Sequence, residues 1–193
     1  MAGGQRRLGV RPSGRRIITT NRELGGRCVD LLVLFIDICL FKRGPQDVPA
    51  SRLLFGMALV AYLVVGEILL IVQSDWFEAA LQAAVEATLL LGLCWLALTL
   101  FGRQARYLQT ATALLATDAV ISTPGALVLQ WWTARPEVRL FQMALFVLMI
   151  WHIMVVAHIL RHALSRALHY GLALAVLYIV ISYQIMSALF GAS

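Results

Sequence analysis

Apolar residues run in five long blocks separated by short polar links. The blocks lie at about 53–73, 80–101, 108–130, 140–160 and 168–190. Each is close to the roughly 20 residues a helix needs to cross the hydrocarbon core of a bilayer. There the backbone must satisfy its own hydrogen bonds, so each block is expected to be a helix. The short links make consecutive helices antiparallel neighbours. A sixth apolar stretch, CVDLLVLFIDICLF at 28–41, is too short to span. Asp30, Leu34 and Asp37 share one helical stripe there, which predicts an amphipathic helix lying on the inner leaflet. Pro45 and Pro49 keep the following link non-helical.

The fold class expected is therefore an all-α membrane protein, with five transmembrane helices preceded by a short interfacial amphipathic helix. Residues 1–27 read as a disordered basic cytoplasmic tail and 28–52 as the interfacial helix with a Pro-containing linker. Residues 53–193 read as the five-helix transmembrane domain.

Composition sharpens this picture. Hydrophobic residues make up 61% of the chain and charged residues 13%, against the 45–50% apolar share usual for soluble domains. The net charge of +6 is spread unevenly, so it reports orientation rather than nucleic-acid binding. Fourteen Lys and Arg fall in the tail, the linker up to Arg52, and the links holding Arg103, Arg106, Arg161 and Arg166. Only Arg135 and Arg139 fall on the other side. The N-terminus is thus expected inside and the C-terminus outside, with Trp76, Trp131 and Trp132 at the outer boundary. The tail arginines Arg6, Arg7, Arg11, Arg15 and Arg16 suit anionic lipid head groups. The tail lacks the apolar core and cleavage site of a signal peptide. Cys28, Cys39 and Cys94 have no metal-like spacing, and disulfides are not expected.

A few polar groups stand out inside the blocks. Asp118 lies near the middle of the third, where a charged Asp costs about 3 kcal/mol, so it must face protein or water. Ala111, Leu115, Asp118, Ser122 and Gly125 share its stripe, which predicts a central helix packed on several sides. Pro124 predicts a kink near Val120, with the hydroxyls of Ser122 or Thr123 serving the freed groups.

Glu67 and Glu86 lie at similar depth in the first two spans, beside small residues Ala80, Ala83, Ala84 and Ala87. His152 matches Asp118 in depth, and the two pair if their helices touch. Glu67, Glu86, Asp118 and His152 are the candidate intramembrane polar path. For each, the plainer alternative is a neutral, hydrogen-bonded packing residue. His158 and His162, spaced i, i+4, read as interfacial histidines rather than metal ligands, since Arg161 and Arg166 stand beside them. No metal and no cofactor is expected. Nucleotide-binding loops, nucleophile elbows and CxxC pairs are absent from the sequence, so the reading is non-enzymatic. The last block has little polarity beyond Ser182, Tyr183 and Gln184, and is expected to be peripheral.

The layout of a polar N-terminus followed by five spans resembles the Yip1-type membrane protein family. Phe101–Thr110, FGRQARYLQT, is similar to the glycine-and-basic link before the third helix of bacterial members, and Val120–Gly125 sits where they carry small residues and proline. Lys42–Ser51, KRGPQDVPAS, is similar to a stretch found in bacterial inner-membrane proteins. The acidic cytoplasmic motif of eukaryotic members is missing. The resemblance implies a bacterial inner-membrane protein that packs against other membrane proteins, or itself, as a scaffold or accessory subunit in the lipid bilayer. A small transporter or channel subunit using the polar path is the alternative.

Overall fold

The computed structural model describes residues 29–71, 74–134 and 138–191. The tail arginines, Cys28 and Arg135 lie outside them, as do the side chains of Trp131, Trp132 and Arg139. The described chain is all-helical: α1 over 29–39, α2 Arg52–Leu70, α3 Trp76–Leu100, α4 Tyr107–Ala134, α5 Val138–Leu164 and α6 Leu168–Phe190. Short 3-10 turns at Pro45–Asp47 and Gln104–Arg106 complete it. Four segments are long and apolar enough to cross a membrane: Arg52–Leu70, Trp76–Leu100, Gln142–Leu164 and Leu168–Phe190. Such a chain has the make-up of a multi-pass membrane protein.

α4 is the least apolar of the long helices. Its position explains why. Thr110 to Thr117 are buried without a break, more than two turns enclosed on every side. α4 packs against α2, α3 and α5, and its pairing with α2 is the most extensive in the molecule. A helix surrounded by protein has no need of an apolar exterior. Instead its threonines bond to its own carbonyls: Thr112 Oγ1 to Leu108 O at 2.6 Å and Thr117 Oγ1 to Ala113 O at 2.7 Å. α4 continues as helix through Pro124, and Thr123 Oγ1 donates to Ala119 O at 2.7 Å.

The outer helices show two faces. On α2, Leu54, Ala58 and Tyr62 are buried at i, i+4, i+8, while Leu53, Met57, Val60 and Val64 are exposed. On α3 the buried small stripe is Ala79, Ala83 and Ala87, and Ala84 of the expected face is exposed. On α6 the stripe is Gly171, Ala175 and Ser182. Small stripes let helices approach closely without a hydrophobic drive between them.

The stretch expected to be an amphipathic helix has one face against the bundle and another, with Leu32, Val33 and Ile36, exposed. Leu34, Phe35, Ile38 and Cys39 are buried, and Cys39 Sγ is 3.8 Å from Thr117 O, well inside α4. The end of α1 and the largely irregular 40–51 stretch after it, with its 3-10 turn at Pro45–Asp47, leave carbonyls without helical partners. Three side chains of the bundle bond them: Trp151 Nε1 donates to Cys39 O at 3.0 Å, His158 Nε2 to Arg43 O at 2.9 Å, and Gln109 Nε2 to Val48 O at 2.9 Å.

α1, α3 and α5 end alike. Phe41, Gly102 and Ser165 each take a positive φ, of 62°, 65° and 52°. The next N–H, from Lys42, Arg103 or Arg166, returns to the carbonyl five residues back at 2.9, 2.7 and 3.0 Å. The basic residue at each end also complements the helix dipole. Arg166 then stacks over Phe101 and Tyr170, linking the end of α3 to the start of α6.

Candidate functional site

All five long helices meet around one chamber. α4 presents Asp118 and, one turn on, Ser122, because its small stripe allows the other helices close. α5 presents His152, whose Nε2 lies 3.0 Å from Asp118 Oδ1. Ser122 lines the same cavity as this carboxylate. α3 adds Glu86, close enough for the Asp118 charge to act on it. α2 adds Tyr62, and α6 adds Tyr178 and Ser182. These groups line a cavity of about 370 Å³, together with Ile179, Tyr183 and Met186.

The candidate path is thus partly assembled here. Asp118, His152 and Glu86 share the chamber, and Glu67 does not line it. On α2 the lining residue is Tyr62, more than a turn earlier. Tyr62 and Tyr178 escaped the sequence reading. Their signal was present: a tyrosine in mid-span, away from the interfacial belt, carries a hydroxyl that must find a partner. α6, expected to be peripheral, is the most exposed long helix and still contributes Tyr178 and Ser182.

His158 and His162 stand ring to ring at 4.6 Å, and Phe41 stacks edge-on against His158 at 5.3 Å. Their work is to hold the 40–44 backbone. Among the described residues no group of three or more His, Cys, Asp or Glu is placed to hold a metal ion.

Chemically the chamber holds two carboxylates, an imidazole and several hydroxyls, with no Lys or Arg among the described residues that line it. An intramembrane carboxylate needs a proton, a cation or a hydrogen-bonded partner to match its charge. Asp118 has such a partner in His152, and Glu86 faces the same cavity. In comparisons with known proteins, no family model, curated protein or solved structure matches this chain, so the chemistry of the chamber carries the functional reading.

Proposed function

We propose that the protein is a small transporter or channel subunit whose intramembrane chamber binds and passes a proton or another cation. The observation that carries this reading is the convergence of one or more polar side chains from each of five helices on a single cavity. A scaffold or accessory subunit would be expected to fill the same space with apolar side chains, which are easier to bury. In this reading α4 is the fifth span, crossing the bilayer enclosed by the other four. The links rich in arginine and the 40–51 strap face the cytoplasm of a bacterial inner membrane, and the C-terminus faces the periplasm. The layout is that of Yip1-like proteins, and no covalent chemistry is required.

The test is flux. Purified protein in liposomes carrying a pH-sensitive dye is expected to dissipate an imposed proton or cation gradient, and Asp118→Asn to abolish this. Flux equal to protein-free liposomes, or unaffected by Asp118→Asn in a protein that elutes like the native one, would overturn the reading.

A further inference from the structure

We propose that the chamber's ligand is an amphipathic organic cation, its charged head beside Asp118 and Glu86 and its apolar body in an adjoining cavity. The inference rests on the reading of the chamber as a cation site and names the class of cation. A second cavity, of about 360 Å³, lies against the first. The two share Ser122 and His152. Apart from these two residues and Gly125, the second is lined by apolar side chains of α2, α4 and α5, among them Leu69, Leu70, Ile121, Leu148 and Met149. Ser122 and His152 thus stand in a wall that the apolar cavity and the charged one have in common.

The sign of the head follows from the lining. Among the described residues that line it, Glu86 and Asp118 carry the formal charges apart from His152, and none bears a guanidinium or ammonium to receive an anion. The rings of Tyr62, Tyr178 and Tyr183 border the same space. Aromatic faces attract cations, most of all where water is excluded. A metal ion or bare proton would use the polar chamber and leave the apolar one without purpose. A neutral lipid tail would use the apolar one and leave the carboxylates unmatched. Each volume sits near the lower end of the range for small-molecule pockets, about 300–1,000 Å³. Together they suit a bulky hydrophobic cation whose rings surround the charge that stands beside the carboxylates.

Tetraphenylphosphonium is the probe, with tetraphenylborate as its anion of the same shape and tetramethylammonium as a head without a body. Binding to the purified full chain in phosphatidylcholine nanodiscs is measured by calorimetry. Tetraphenylphosphonium is expected to bind saturably. Asp118→Asn is expected to weaken it by about thirtyfold, the scale of a lost buried charge contact. Glu86→Gln serves the same purpose should the Asp118 variant fail to purify. Gly125→Leu, which fills the apolar cavity, is expected to weaken it as well. Tetraphenylborate and tetramethylammonium are expected to bind poorly.

Absent binding, equal binding of the borate, or affinity unchanged in both carboxylate variants would overturn the proposal. Proton flux that depends on Asp118 without tetraphenylphosphonium binding would remove this inference alone. Tetraphenylphosphonium binding that depends on Asp118 without any flux would remove the transport reading and keep the ligand class.

Discussion

The indole nitrogen of Trp151 donates to the carbonyl of Cys39 at 3.0 Å, joining the middle of α5 to the last turn of α1. That bond holds a helix end inside the bundle, where no water reaches the carbonyl. Trp151→Phe keeps the ring and removes the donor. It is expected to lower stability by about 1–3 kcal/mol, the cost of an unsatisfied buried acceptor, read as a drop in the detergent melting temperature. Cys39 itself reports the same enclosure. Burial, with the Asp118 charge adding to it, pushes its thiol up to about 12. A maleimide at neutral pH is therefore expected to leave Cys39 unlabelled in the folded protein, and to label it rapidly in Trp151→Phe if the strap lifts.

Asp118 and His152 form a pair whose members depend on each other. Removing one partner leaves the other polar group buried and unmatched. Asp118→Asn and His152→Leu are each expected to destabilise the protein, the second by about 3 kcal/mol or more. The double variant should cost clearly less than the two singles combined, because no orphaned charge remains. Additive losses in a thermal-melt cycle would show that the pair does not act as a unit.

Gly171 marks the closest approach of α6 to α5. A Cβ built there would overlap the carbonyl oxygen of Ala157 and lie 3.0 Å from the Arg161 nitrogen, both backbone atoms that cannot swing aside. Gly171→Ala is expected to push α6 outward at a cost of about 1–3 kcal/mol. Gly92→Ala, with nothing within 4 Å of its added methyl, is the control and is expected to be neutral or stabilising. Melting temperatures of the two variants check the contrast.

Arg106 closes the end of α5. Its Nη1 donates to His162 O at 3.2 Å, Ala163 O at 3.3 Å and Ser165 Oγ at 3.1 Å. The contact ties the 101–106 link to the 165–167 link and places positive charge on carbonyls left over at a helix end. Arg106→Ala is expected to cost about 2 kcal/mol. Arg106→Lys should recover part of it, since an ammonium keeps the charge but lacks the planar fork. Proteolysis at Arg166 in the native state is the sensitive readout, and no increase in Arg106→Ala would count against the clasp.

Much of the fold was legible in the chain because hydrophobic length is a one-dimensional property. Four of the expected blocks recur as helices apolar enough to cross a membrane, and Asp118 declared its helix to be enclosed because an isolated charge there is too costly. The 28–41 stretch was harder. Its length excluded a span, but length alone does not say which side chains of the bundle meet its end. That depended on Gln109, Trp151 and His158, each distant in sequence from the carbonyl it bonds.

The amino-acid sequence by itself determined how many long helices form, where they break and which polar groups must avoid lipid, since these follow from transfer energies summed along the chain. Only the tertiary structure decided which of those groups meet. Helix rotation and neighbour choice rest on close packing of small stripes such as Ala79–Ala83–Ala87 and Gly171–Ala175, which leave little trace in hydropathy. That packing turned Glu86, Asp118 and His152 into one chamber with Tyr62 and Tyr178, and left Glu67 out of it.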